Sequence, residues 1–148
     1  MAKLQVGDTA PDFTLMNEQG QPIHLTDYRG KNSVVLIFYP GDQTPGCTKQ
    51  LCAARDDTTQ YQAAGAVVFG VNPGGSGSHQ KFIQKHNLTT PLLVDEGLKV
   101  AALYDAVIGL GPLKIVNRTV VGIDKAGKIS FYQRGMPNTS QILAAVAA

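Results

Sequence analysis

Between Ser33 and Tyr39 the chain reads Ser-Val-Val-Leu-Ile-Phe-Tyr, an unbroken apolar run, mostly β-branched and aromatic, after the leading serine, and Pro40-Gly41 ends it. A run of this kind, without polar alternation, predicts a strand buried on both faces. Such a strand needs cover on both sides of its sheet, which points to helices packed on each face. The next segment supplies one. Thr44-Pro45 places a hydroxyl at the cap and proline at the first helical position, and Gly65 can close the helix, so the spacing predicts helix from there to about Ala64.

The alternation of strand and helix continues. Ala66 to Val71 predicts a second buried strand, Ser78 to His86 a helix with Phe82 and Ile83 facing inward, Leu92 to Val94 a short strand, and Leu98 to Tyr104 a helical stretch. The pattern then changes. Thr119 to Ile123 and Lys128 to Gln133 flank Asp124-Lys125-Ala126-Gly127, a hairpin signal. Asn138-Thr139-Ser140 caps a last helix with Ile142, Leu143 and Val146 on one face. Near the start, Pro11 to Leu15 and Pro22 to Leu25 flank Asn17-Glu18-Gln19-Gly20 as a small hairpin. A parallel βαβ half followed by an antiparallel hairpin and a terminal helix predicts an α/β thioredoxin-like fold. Its central mixed sheet is flanked by helices and preceded by an N-terminal β-hairpin. The longest loop-like stretches, Asn72 to Gly77 and Ile108 to Leu113, are too short to separate domains, so one domain over residues 3–148 is expected.

Composition narrows the class of function. Of 148 residues, 43% are hydrophobic and 16% charged, ordinary values for a globular protein, and a formal net charge of +2 is too slight to imply nucleic acid or a membrane surface as partner. No apolar stretch of signal-peptide length opens the chain, and no run approaches the roughly 18 apolar residues of a membrane span, so a cytoplasmic address is the default expectation. The sequons at Asn87, Asn117 and Asn138 then read as chance matches. In a reducing compartment two cysteines are redox-active, metal-binding or simply buried more often than they are a structural staple.

Position discriminates among these. Cys47 lies three residues after Thr44, in the first turn of the predicted helix, where unsatisfied N–H groups and the positive dipole end favour thiolate over thiol, the form that attacks. It is therefore a candidate nucleophile, although a small buried apolar residue could occupy the same position. Cys52 follows five residues later. In a helix that spacing gives a rise of about 7.5 Å and a turn of about 140°, hence Cα atoms roughly 8 to 9 Å apart. A disulfide wants less than about 7 Å. A bridge would require the first helical turns to unwind, which the polar Thr48-Lys49-Gln50 spacing and Gly46 make feasible.

At these residues the chain resembles the peroxiredoxins. Pro40-Gly41-Asp42-Gln43-Thr44-Pro45-Gly46-Cys47 matches their P-x-x-x-[TS]-x-x-C motif, and Cys47 to Cys52 is similar to the spacing of the peroxiredoxin Q or bacterioferritin-comigratory-protein subgroup. Gly7 to Phe13 resembles the family's opening and Arg118 to Asp124 its arginine-bearing strand. The resemblance implies Cys47 as peroxidatic cysteine, Cys52 as resolving cysteine in an intramolecular disulfide, Thr44 as hydrogen-bonding partner of peroxide and thiolate, Pro40 as shield of the pocket and Arg118 as stabiliser of charge. It also implies hydroperoxide substrates, a thioredoxin or related dithiol reductant, no cofactor and, with the resolving thiol internal, a monomer. Asn72 to Gly77 departs from the family's acidic, hydroxyl-rich turn, and Ala106 to Asn117 is short.

Other signals carry less. His24, His79 and His86 lack metal-like spacing and read as surface or capping residues, two cysteines cannot complete a zinc site, and adjacent Asp95 and Glu96 would point in different directions. The Gly/Ser loop at 74–78 and Gly109-Leu110-Gly111 both lack the residues of a nucleotide-binding fingerprint. Two competing readings stay open: a dithiol-disulfide oxidoreductase, which should carry C-x-x-C, and a non-catalytic binding or holdase module on the same scaffold.

Overall fold

A computed structural model describes residues 4–146, so residue 3 and residues 147–148 of the expected domain lie outside the described residues. In chain order its strands are β1 (Thr14–Met16), β2 (Pro22–His24), β3 (Ser33–Phe38), β4 (Ala66–Asn72), β5 (Leu92–Val94), β6 (Val107–Ile108), β7 (Ile115–Val116), β8 (Thr119–Ile123) and β9 (Ile129–Arg134). Its helices are α1 (Pro45–Asp56), α2 (Thr58–Ala63), α3 (Ser76–His86), α4 (Lys99–Leu103) and α5 (Thr139–Val146).

The larger sheet runs β2-β1-β5-β4-β3-β8-β9, with β3, β4 and β5 parallel and the remaining neighbours antiparallel. This is the expected mixed thioredoxin-like sheet. β3 is central, and every residue of it is buried. Strand alternation divides its side chains between two cores: Val34, Leu36 and Phe38 pack with Phe13, Leu93 and Tyr104, while Val35 and Ile37, with Tyr39 just past the strand, pack with Cys47, Leu51 and Phe82. At about 1.5–3 kcal/mol for each large apolar side chain removed from water, these two faces outweigh any single polar contact in the fold. Among the described residues no helix is long and apolar enough to cross a membrane.

Several boundaries differ from expectation. The helix after Thr44 is two helices, broken at Asp57 (φ −101°, ψ 13°). There the Thr58 hydroxyl donates to the Arg55 carbonyl at 2.8 Å, and the Asp57 carboxylate accepts from Gln60 and Thr139. Short polar side chains that bond the local backbone compete with the helical ladder, and Asp57-Thr58-Thr59 places three together. Thr44 occupies the cap position of α1 but does not cap with its hydroxyl, which donates back to the Gly41 carbonyl at 3.1 Å. Pro45 alone marks the start. α3 begins at Ser76, two residues early, and the stretch from Ile108 to Leu113 is not all loop, since β6 and β7 form a two-stranded hairpin around it. At α5 the expected cap is reciprocal: Gln141 N–H donates to Asn138 Oδ1 at 2.9 Å and Asn138 N–H to Gln141 Oε1 at 3.0 Å.

Candidate active site

α1 follows β3 after a short loop, and its buried face is set by spacing: Cys47, Leu51 and Ala54 recur at i, i+4 and i+7 and sink into the core beside Tyr39 and Phe82. Cys47 is fully buried. Cys52, five residues on, is turned away from that line and is half-buried, and both cysteines are free thiols. The first helical bond of α1 runs from Thr48 N–H to the Thr44 carbonyl at 2.8 Å. The amides of Gly46 and Cys47 precede it and have no carbonyl one turn back, so the residue that carries the sulfur lies in the first turn of the helix.

The cation comes from across the sheet. Arg118 stands immediately before β8, which pairs with β3 as Phe38 opposite Thr119, and this register brings the guanidinium over the start of α1. Arg118 Nη2 donates to Cys47 Sγ at 3.2 Å, and Nη1 donates to Gln50 Oε1 at 2.7 Å. Gln50 in turn points its amide nitrogen at the Gly135 carbonyl, 3.5 Å away. A Cβ on Gly46 would stand 3.1 Å from Nη2, so the missing side chain at this position leaves room for the guanidinium. The fork thus has one tooth on sulfur and one on a neutral amide, and any negative charge that forms on or near Sγ is met by a fixed cation.

The structure therefore brings Cys47 and Arg118 together and leaves the other expected residues around them. Cys52 shares the helix and, half-buried, packs at the edge of the same core cluster, about 140° round the helix from Cys47. Pro40 is exposed at the end of β3, and Thr44 is exposed with its hydroxyl turned to Gly41. Gln50 carries no motif signal in the sequence, although an i, i+3 relation to Cys47 places it on the same side of the helix.

A second polar group lies behind the loop. His79, expected at the surface, is completely buried, and its Nδ1 lies 2.6 Å from Asp42 Oδ2. Ser78 Oγ donates to the same oxygen at 2.6 Å and Tyr39 Oη to Oδ1 at 2.7 Å. Burial alone would raise the Asp42 carboxyl, but hydrogen bonds from His79, Ser78 and Tyr39 outweigh it and hold the group below its ordinary range. The Tyr39 phenol is pushed strongly upward, first by burial and then by the neighbouring Asp42, so it stays a donor. The pattern His79, Phe82, Ile83 already puts His79 on an apolar helix face, a signal legible in the sequence. Asp95, also buried, accepts the Val100 and Ala101 amides at 2.9 and 2.8 Å and so caps α4 instead of pairing with Glu96.

Residues 6–132 match the AhpC/TSA family. The chain is 47% identical over 129 residues to the chloroplastic peroxiredoxin Q of Triticum aestivum, an alignment covering 87% of this chain and 58% of that one. It is 43% identical over 102 residues to the peroxiredoxin Bcp of Bacillus subtilis, covering 69% of this chain and 64% of the other. The chain spans about half the length of the plant proteins it matches. The crystal structure of peroxidoxin BcpB from Mycobacterium tuberculosis superposes with a TM-score of 0.89 at 31% identity over 96% of each chain.

Proposed function

This chain belongs to the AhpC/TSA family, and from that premise we propose that it is a thiol-dependent peroxidase that reduces hydrogen peroxide and organic hydroperoxides with Cys47. The observation that carries the reading is the free, buried Cys47 sulfur held 3.2 Å from the Arg118 guanidinium at a helix start. In the proposed reaction the Cys47 thiolate attacks one peroxide oxygen; an S–O bond forms, the O–O bond breaks, and the second oxygen leaves as hydroxide or alkoxide that takes up a proton. Arg118 and the first-turn amides stabilise the charge that develops on the departing oxygen. Cys47 is left as a sulfenic acid. The Cys52 thiol then attacks that sulfur, a disulfide forms and water leaves. An external dithiol, a thioredoxin or a protein like it, would return both sulfurs to thiols, so the two electrons pass through sulfur alone.

Thr44, on this reading, turns its hydroxyl from Gly41 to the bound peroxide, and Pro40 covers the pocket mouth. Residues 3–148 would act as one domain and as a monomer, since the resolving thiol is internal, with the cytoplasm as working compartment. The C-x₄-C spacing, which keeps the two sulfurs apart along one helix, disfavours a dithiol oxidoreductase. The test is peroxide consumption coupled to a thioredoxin system. Wild type should turn over, Cys47→Ser should be inert, and Cys52→Ser should consume about one peroxide per chain and stop. Equal loss of the first turnover in both variants would overturn the assignment.

A further inference from the structure

The loop that delivers Cys47 to the sheet is stitched to β4, α3 and β5 by side chains that the peroxide chemistry does not itself require. Asn72, at the end of β4, donates from Nδ2 to the Tyr39 carbonyl at 2.8 Å and accepts the Gly74 amide at the same distance. One turn into α3, His79 stands between two acceptors: Nδ1 faces Asp42 Oδ2 at 2.6 Å, and Nε2 faces the Leu93 carbonyl of β5 at 3.1 Å. The Asp42 carboxylate, which already takes the Tyr39 and Ser78 hydroxyls, thus has the His79 ring as its third polar neighbour. The side chains of His79 and Asp42 are 0% and 4% exposed, so this is a buried polar contact shielded from water. Gly74 permits it, because a Cβ there would fall 2.8 Å from Asn72 Oδ1 and 3.2 Å from Asp42 Oδ2.

The segment so held does not hold itself. Gln43 has a φ of 61°, the left-handed region that a non-glycine residue adopts only when its surroundings impose it. Asp42 is the residue before it, and Cys47 follows four residues after. Tyr39, which gives Asp42 its third hydrogen bond, packs in the same buried cluster as Cys47.

We infer that His79 is a positioning residue for Cys47: through Asp42 it locks the 40–43 loop so that α1 begins where its sulfur meets Arg118, and it opposes the unwinding that carries Cys47 to Cys52. This rests on the peroxidatic role proposed for Cys47. A clamp with these two effects favours peroxide attack and restrains disulfide closure. Its loss therefore moves the two steps in opposite directions, and dependence of both changes on Asp42 separates this from a general loss of stability.

The experiment follows both steps after mixing reduced protein with hydrogen peroxide, by rapid quench, alkylation and mass. In His79→Ala, sulfenic acid formation should slow on the order of tenfold or more, while the first-order conversion of sulfenic acid to disulfide should quicken. His79→Asn, which keeps an N–H directed at Asp42, should recover part of both changes. Combining His79→Ala with Asp42→Ala should add little to Asp42→Ala alone, because the two act through one contact. If His79→Ala does not fold, Ser78→Ala removes one exposed donor from the same carboxylate and should shift both rates in the same opposite senses by a smaller factor. A wild-type protein inert to hydrogen peroxide would overturn the peroxidase reading itself. Where wild type reacts, unchanged rates in the variants, parallel slowing of both steps or full additivity in the double variant would overturn the role of His79 alone.

Discussion

Arg118 Nη2 and Cys47 Sγ lie 3.2 Å apart although 71 positions separate them in the chain. The contact exists because β8 runs antiparallel beside β3, so that the residue before β8 and the helix after β3 meet at the same end of the sheet. The other guanidinium nitrogen is occupied by Gln50, one helical turn beyond Cys47, which fixes the plane of the fork.

Replacing Arg118 with alanine should therefore leave the fold intact and slow peroxide attack. Removing one charge stabiliser of this kind costs on the order of 10²-fold in kcat/KM. Arg118→Lys should recover only part of the rate, because an ammonium cannot bond Gln50 and the sulfur together in one plane. Steady-state kinetics beside a thermal melt checks both; wild-type kcat/KM in Arg118→Ala would reduce the residue to a surface charge.

Gly46→Ala separates rate from stability. The added Cβ would press on Nη2 from 3.1 Å and displace the guanidinium by a few tenths of an ångström. Alanine is also the better helix former, by up to about 1 kcal/mol within a helix. The expected outcome is an unchanged or raised melting temperature with a lowered rate of peroxide attack. A variant as fast as wild type would show that the placement of Arg118 is looser than the contact implies.

Oxidation should open the start of α1. Cys47 belongs to the buried stripe with Leu51 and Ala54, and Cys52 projects from a different side, so a disulfide cannot close while both keep helical geometry. Amide hydrogen exchange over residues 44–56 should be faster in the oxidised protein than in the reduced one. Unchanged protection, with the intramolecular disulfide verified by mass, would mean that the bridge forms without unwinding.

Asp42 gives a pH signature. Its carboxyl is held below its unfolded value, so between the two values the unfolded chain binds more protons. The stability it contributes is present above the ordinary carboxylate range, near about pH 4, and is lost as pH falls through the folded value. Denaturant unfolding of wild type and Asp42→Asn should show a gap near neutrality that narrows on acidification. A gap constant down to about pH 3 would show that the Asp42 carboxylate contributes no pH-dependent stability.

The sequence displays the parts governed by local spacing. The unbroken run at Ser33 to Tyr39 marks the central strand because only a strand covered on both faces tolerates it, and β3 is buried throughout. The mixed sheet, the N-terminal hairpin and the terminal helix follow from period and punctuation in the same way. Local rules fail at Asp57-Thr58, where side chains bond the backbone and break a helix that the apolar pattern alone would continue. They fail again at Thr44, whose hydroxyl turns to Gly41 and leaves the cap position without a side-chain bond.

What the chain determined by itself is the placement of a cysteine in a first helical turn after a buried strand, and of a second cysteine on another side of the same helix. Both depend only on residues within a few positions of each other. What tertiary structure decided is the geometry around the sulfur: Arg118, already marked by the family motif, arrives with β8, Gln50 is selected by the position of that guanidinium, and His79 reaches Asp42 because the parallel pairing of β3 and β4 sets α3 beside the loop. A charged side chain reads the same in sequence whether water or a buried partner surrounds it. Its partner is chosen by strand register and burial, which depend on the whole sheet, and these bring an arginine to the Cys47 sulfur and bury a histidine against Asp42.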